Sequence, residues 1–214
     1  EGRRTGFGIT AEGDMLAAMG LTYGTDEATA FAVEVQKTLA CSAYRSSALM
    51  ARDRGAFPIY DYKLEENNPF IQRLKSADEE LYSLMKQYGR RNIALLTIAP
   101  TGSVSICTQT SSGIEPAFLV SYRRRRKVNP NDSEATISFT DDEGQAWEEY
   151  NVLHHKFAVW AEINGYNVAD LVHKYTDEQL QEVIAKSPYN NATANCVNWV
   201  NKVKMQGAIQ KWVD

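Results

Sequence analysis

The chain has 214 residues, 43% of them hydrophobic and 23% charged, with a net charge of −4. That is enough apolar material for one large domain or two small ones, and the mild acidity excludes a global attraction to nucleic acid or anionic membrane. No apolar stretch reaches the roughly 18 to 20 residues of a membrane span, the opening residues lack a secretory apolar region, and the three cysteines, Cys41, Cys107 and Cys196, form no C-x-x-C pair. A cytoplasmic protein with reduced thiols and no metal site is expected.

Thr10 followed by AEGDMLAAMG predicts a short helix ended by Gly20. Thr25, with Asp26 and Glu27 behind it, caps the longest helical pattern, in which Ala28, Ala32, Val35, Leu39 and Ala43 recur on one side until Gly55 stops it. Phe57-Pro58-Ile59-Tyr60 reads as a short extended piece. Asn68-Pro69 opens a further helix with proline at its first position, and Ser76-Ala77-Asp78-Glu79 opens another that runs to Gly89. From Ile93 to Ala99 the residues are almost all apolar without alternation, the pattern of a strand covered on both faces in a parallel α/β sheet, and Pro100 ends it.

Beyond the following loop, Phe118, Val120 and Tyr122 alternate and lead into Arg123-Arg124-Arg125-Arg126-Lys127. With a turn at Asn129-Pro130-Asn131-Asp132 and renewed alternation at 135–139, this predicts a β-hairpin over about 118–140 whose outer strand is basic. Residues 145–214 read as helical. Trp147, Tyr150, Leu153, Phe157 and Trp160 or Ala161 would line one helix ending at Gly165, Thr176-Asp177-Glu178-Gln179 caps the next, and a last helix from Asn195 sets Val197, Val200, Val203, Ile209 and Val213 on one side. No repeat or linker divides residues 1–214. The polar start and the helical pattern still running at Gln210–Asp214 suggest a segment of a longer chain.

The transition from strand to loop at 93–105 carries the clearest chemistry. Ligands of parallel α/β sheets sit at the carboxyl ends of strands, and a short loop of Gly, Ser and Thr there presents N–H and hydroxyl donors to an anion, above all a phosphate. Pro100, Thr101, Gly102, Ser103, Val104 and Ser105 form that loop, and no acidic residue occurs from Pro100 to Ser112. It is not a G-x-x-x-x-G-K-[ST] loop and has no adjacent lysine, so a polar turn without a ligand stays open on spacing alone.

Residues 94–118, ALLTIAPTGSVSICTQTSSGIEPAF, resemble the phosphate-loop region of ribonucleotide reductase large chains, where a strand ends in a Pro-Thr-Gly-Thr/Ser-x-Ser loop followed by Ser-Gly-Ile-Glu-Pro. RRTGFGITAEGDMLAAMGLTYGTDEA, residues 3–28, is similar to the Arg-x-Gly-x-Gly helix segment of the same family, in the same order. AYRSSALMARDRGAFPIY, SYRRRRKVNPND and KVKMQGAIQKWVD resemble the adenosylcobalamin-dependent (class II) branch more than the di-iron branch.

The resemblance implies part of a ten-stranded α/β barrel in which a thiyl radical on a finger loop abstracts the ribose 3′ hydrogen and two further cysteines reduce the 2′ position. It implies that Pro100 through Ser105 hold the phosphates of a ribonucleotide, a diphosphate, through backbone N–H groups and the Thr101, Ser103 and Ser105 hydroxyls, and that the parent enzyme uses adenosylcobalamin.

The family's finger loop, Asn-x-Cys-x-Glu, is absent: Cys41 lies in a helical pattern, Cys107 precedes Thr-Gln-Thr, and Cys196 precedes Val-Asn-Trp. No catalytic residue is therefore expected in this chain, which would depend on the remainder of the barrel and be inactive alone. A non-catalytic nucleotide- or phosphate-binding module, or one half of a split enzyme, is the competing reading. Cys107, Cys41 and Cys196 read as structural, the latter two as buried or half-buried; adjacent His154 and His155 diverge on a helix and cannot share a metal; Trp147, Trp160, Trp199 and Trp212 read as core. The arginine run reads as a solvated strand edge, with contact to a cofactor phosphate or another part of the enzyme as the alternative. Glu115 could orient a hydroxyl or cap a helix. If strands 93–99 and 118–122 had open edges, self-association into a homo-oligomer would follow.

Overall fold

A computed structural model describes every residue except Pro130 and Glu134. The expected turn at 129–132 thus lies partly outside the described residues, although Asp132 N–H donates to the Asn129 carbonyl at 2.9 Å. The first helix, α1 (Glu12–Ala18), is followed by α2 (Asp26–Arg54), a 29-residue rod capped by the Thr25 hydroxyl and stopped at Gly55, whose φ is +79°. Its buried stripe is Ala28, Ala32, Gln36, Ala40, Tyr44 and Ala48, one residue off the expected Val35–Leu39–Ala43 line beyond Ala32. Small side chains decide the stripe, because they let neighbouring helices approach closely.

Those neighbours are α4 (Pro69–Ala77), α5 (Glu79–Tyr88) and, from the far end of the chain, α10 (Trp199–Gln210). Asn68 caps α4 with proline behind it, and Asp78 rather than Ser76 caps α5. Leu74 and Leu81 are fully buried against α2, each worth about 2 kcal/mol of apolar burial. Phe57–Tyr60 is a turn, not a strand, with Tyr60 N–H on the Phe57 carbonyl at 3.0 Å, and it leads into the single-turn α3 (Tyr62–Glu65).

The strand expected over 93–99 is reduced to a single bridge residue, Leu96, and among the described residues its bridge partner lies in the segment near the N-terminus. Phe7 and Leu96 form a parallel bridge, supported by Thr5 N–H to Ala94 O at 3.0 Å, Phe7 N–H to Leu95 O at 2.8 Å and Thr97 N–H to Phe7 O at 3.0 Å. The Asp214 carboxylate accepts from Leu95 N–H at 2.8 Å and Leu96 N–H at 3.0 Å, and from the Tyr44 hydroxyl. Leu95 and Leu96 are buried, as their apolar run requires.

After α6 (Gly102–Thr108), the described strands form one antiparallel sheet in the order β1 (Ser121–Lys127), β3 (Ala146–Leu153), β2 (Phe139–Thr140). The expected hairpin is corrected here. β1 pairs with β3, from Ser121↔Leu153 to Lys127↔Trp147, and the 135–140 stretch flanks the opposite edge of β3. Residues 146–153 are strand rather than the start of a helix, because Arg125 and Arg126 lie directly opposite Glu149 and Glu148 and pair with them, Arg125 Nη2–Glu149 Oε1 at 2.6 Å and Arg126 Nε–Glu148 Oε2 at 2.5 Å. Cross-strand ion pairs of this kind favour the sheet. The helix begins only at α7 (His155–Ile163), and α8 (Val168–His173) and α9 (Asp177–Ile184) follow, the last with the expected Thr176/Gln179 capping box.

Among the described residues these strands do not close into a ten-stranded barrel; the architecture is helix-rich α/β with an open three-stranded sheet. Three apolar clusters hold it together: α2–α4–α5 with Leu95 and Leu96, α7–α8–α9 with Val120 and Tyr189, and α1–α2–α10 with Ile114. In α10 the buried residues are Met205 and Ile209, while Val203 and Trp199 in the helix and Cys196 before it are exposed, against the expected placement. No helix of the described residues is long and apolar enough to cross a membrane.

Candidate phosphate-binding site

The 100–105 segment is the end of the irregular run after Leu96, one left-handed residue and the first turn of a helix. Pro100 is exposed and ends that run; Thr101 then turns left-handed, at φ 46° and ψ 26°, and Gly102, Ser103, Val104 and Ser105 begin α6. A β-branched residue in that region is an outlier that its surroundings must hold. The Thr101 hydroxyl does so, accepting from Gly113 N–H at 2.7 Å and lying 2.8 Å from the Thr10 hydroxyl. Thr10 precedes Ala11, which is also left-handed (φ 67°) and opens α1. The two seven-residue helices are therefore locked at their entrances to each other and to the Ser111–Gly113 segment.

Helix geometry leaves the first N–H groups without internal partners. Among the described residues no hydrogen bond occupies Gly102, Ser103 or Val104 N–H, whereas Ser105 N–H is already on the Thr101 carbonyl at 2.9 Å. The hydroxyls divide likewise. Ser105 is buried, donates to the Gly102 carbonyl at 2.7 Å and pairs with Ser112 at 2.8 Å; with Thr101 it shapes the turn, and the Ser103 hydroxyl alone stands exposed and unengaged.

Beside them lies a cleft of about 230 Å³ lined by Gly6, Gly8, Thr97, Ala99, Thr101 and Val104 among others, none of them acidic. Gly8 permits the close pairing that forms its floor, since a Cβ there would lie 2.4 Å from the Thr97 carbonyl oxygen. At Gly102 an added Cβ would meet nothing within 4 Å, so its missing side chain keeps the mouth open rather than relieving a clash. No lysine or arginine lines the cleft, so any attraction for an anion comes from backbone and hydroxyl dipoles.

The basic run stays out of this site. Arg123, Arg125 and Arg126 are paired with Glu148, Glu149, Asp132 and Asp177, which gives them a structural partner. Cys107 is exposed and Cys41 half-buried, and no cluster of His, Cys, Asp or Glu among the described residues could hold a metal ion.

Two carboxyl groups went unnoticed in the sequence. Glu12 is 1% exposed with neither oxygen hydrogen-bonded, and burial pushes its pKa up to about 8. Asp14 is also buried, and burial alone would raise it; hydrogen bonds from His154, Ser111 N–H and Tyr189, with the His154 charge, outweigh that and hold it below the usual range. The pair Asp14–His154 spans 140 positions, beyond any spacing rule.

The family model described as "Ribonucleotide reductase, barrel domain" matches residues 1–214. The chain is 29% identical over 123 residues to the vitamin B12-dependent ribonucleoside-diphosphate reductase of Mycobacterium tuberculosis (strain H37Rv), covering 57% of this chain and 15% of that protein. The Thermoplasma acidophilum protein of the same description is 30% identical over 122 residues, 57% of this chain and 14% of its own. The ribonucleoside-diphosphate reductase subunit alpha of Treponema pallidum is 27% identical over 128 residues, covering 58% and 15%. The alignment thus takes in about a seventh of each relative's length. Matched by its family model from the first residue to the last, the chain belongs to the ribonucleotide reductase barrel-domain family.

Proposed function

We propose that this chain supplies the substrate phosphate cradle of a ribonucleotide reductase. The observation that carries the reading is the set of three unoccupied N–H groups at Gly102, Ser103 and Val104 beside an acid-free cleft. A diphosphate seated there would take those N–H groups and the Ser103 hydroxyl, while Thr101 and Ser105 hold the turn. Fixing the phosphates fixes the ribose, and placement within near-attack distance is what a hydrogen-abstracting radical demands. The reaction is the reduction of ribonucleoside diphosphates to deoxyribonucleotides, in the cytoplasm.

The radical machinery belongs to the remainder of the barrel, which we propose completes the sheet begun by the parallel 2–8 and 93–97 pair. Adenosylcobalamin is proposed for the parent enzyme because two of the relatives are named vitamin B12-dependent. The cavities described in this chain are of about 600 Å³ or less. They do not fit a corrin ring with its side chains, and no step is assigned to cobalamin here.

Titration of the chain with pyrophosphate, followed by calorimetry, tests the cradle. Gly102→Val places a Cβ that meets nothing within 4 Å, and it is expected to abolish binding with an unchanged melting temperature. Binding that survives the substitution moves the site elsewhere. The chain alone is expected to show no reductase activity.

A further inference from the structure

The start of α6 does not hold itself in place. It hangs from the 111–113 segment at two points, with Gly113 N–H on the Thr101 hydroxyl at 2.7 Å and the Ser105 hydroxyl 2.8 Å from that of Ser112. Thr101 between them is left-handed, a conformation that a β-branched residue keeps only where its surroundings impose it. Whatever fixes the 111–113 segment therefore aims the N–H groups that follow Thr101.

That segment is tied to α1. Ser111 N–H donates to Asp14 Oδ2 at 2.7 Å, Asp14 N–H donates back to the Ser111 hydroxyl at 3.1 Å, and Glu12 N–H donates to the Gly113 carbonyl at 3.1 Å. Gly13 permits the approach, since a Cβ there would lie 2.6 Å from the Glu115 carbonyl oxygen and 3.2 Å from Ser111 Oγ. The second carboxylate oxygen of Asp14 is engaged elsewhere: the Tyr189 hydroxyl donates to Oδ1 at 2.9 Å, and His154 Nε2 lies 2.7 Å from it. Tyr189 is buried edge-on against Phe157, their ring centres 6.1 Å apart in the α7–α9 cluster. Asp14 is itself 6% exposed. One side chain thus joins that cluster, α1 and the segment from which α6 hangs.

We infer that Asp14 is a positioning residue for the start of α6: through Ser111 it fixes the left-handed turn at Thr101, and with it the direction of the Gly102, Ser103 and Val104 N–H groups. The consequence for a ligand rests on the phosphate cradle proposed above, whereas the consequence for the turn does not. A residue that touches no ligand governs binding in this way because donors serve a ligand only when their supports hold them to within about half an ångström.

Two readouts keep these consequences apart. Amide resonances of residues 101–104 in the ligand-free 214-residue chain report the turn, and calorimetric titration with pyrophosphate reports the cradle. Asp14→Ala removes the acceptor of Ser111 N–H; it is expected to shift those resonances and to weaken pyrophosphate about tenfold or more. Asp14→Asn keeps a side-chain oxygen for Ser111 N–H and is expected to restore the resonances and to bind within about threefold of the parent. Leu81→Ala empties a fully buried position of the α2–α4–α5 cluster, outside this network. It is expected to lower the melting temperature and leave both readouts in place, so loss of stability alone does not mimic Asp14→Ala. Ser111→Ala breaks one half of the reciprocal pair while His154 and Tyr189 stay on Asp14; it is expected to shift the same resonances, and it decides the matter if Asp14→Ala does not fold.

Unmoved 101–104 resonances in folded Asp14→Ala, or in Ser111→Ala where the first variant is unfolded, would overturn the inference. So would an Asn variant as perturbed as the Ala variant, equal effects in Leu81→Ala, or shifted resonances with pyrophosphate affinity unchanged. A parent chain that does not bind pyrophosphate would overturn the cradle instead, and the resonances would still decide the role of Asp14.

Discussion

Glu12 offers the sharpest quantitative check on the packing. It occupies the first turn of α1, where an acid is ordinarily welcome, yet α1 is sunk against the 111–116 segment so closely that a Cβ on the neighbouring Gly13 would lie 2.6 Å from the Glu115 carbonyl oxygen. The carboxyl is stranded with no donor, and its pKa rises from 4.5 to about 8. Between those values the folded chain holds a proton that the unfolded chain releases, so stability falls as pH rises, by about 1.4 kcal/mol per unit. At pH 7 the accumulated penalty is about 3 kcal/mol, and above pH 8 it levels off. Glu12→Gln removes the titration while keeping size and polarity. The variant is expected to match the parent near pH 4.5 and to exceed it by about 3 kcal/mol at pH 7, or roughly 6 to 12 °C in Tm for a domain of this size. Asp14 does not interfere, because its lowered pKa makes its contribution full above the ordinary carboxylate range and lost only on acidification through its folded value. Melting curves for both proteins at half-unit steps from pH 4.5 to 8.5 decide the matter. Parallel curves would refute the reasoning, since they would mean that Glu12 ionises in the fold as readily as in the open chain.

Three further substitutions probe the frame around the proposed phosphate cradle. Gly8→Ala forces a Cβ to within 2.4 Å of the Thr97 carbonyl oxygen and is expected to cost about 1 to 3 kcal/mol in chemical denaturation by overpacking; an unchanged midpoint would show that the 2–8 and 93–97 pair is looser than described. Thr101→Val keeps the branched shape but strands the buried Gly113 N–H and removes the Thr10 contact, for an expected loss of about 1 to 3 kcal/mol and weaker pyrophosphate binding in calorimetry as the left-handed turn relaxes. Asp214→Ala leaves Leu95 and Leu96 N–H without their acceptor; a loss of about 2 to 3 kcal/mol is expected, with faster amide exchange confined first to those two residues.

What the sequence revealed and concealed follows the range of the forces involved. Both ends of α2 and the start of α9 were legible because caps are local: Thr25, Gly55 and the Thr176/Gln179 box act within four residues of the helices they bound. β3 was concealed because its two buried positions, one on each face, are polar. Glu148 and Asn151 are buried, the first by Arg126 across the sheet and the second by the Leu171 and Tyr175 carbonyls, which accept from its amide at 3.0 and 3.2 Å. The large apolar residues Trp147, Tyr150, Leu153 and Phe157 meanwhile fall at spacings of three and four that imitate a helix. A signal existed in the charges, four arginines upstream and two glutamates here, since opposite charges aligned in register favour antiparallel pairing over a hairpin with an uncharged neighbour. The 100–105 segment shows the same division within six residues. Composition marked Pro100–Ser105 as a donor-rich turn, but which donors remain free depends on Thr10, Ser112 and Gly113, brought in by the fold. Contacts made by the fold thus consume two of the three hydroxyls to fix the backbone, and what they leave for the proposed ligand is the Ser103 hydroxyl and the N–H groups of Gly102, Ser103 and Val104.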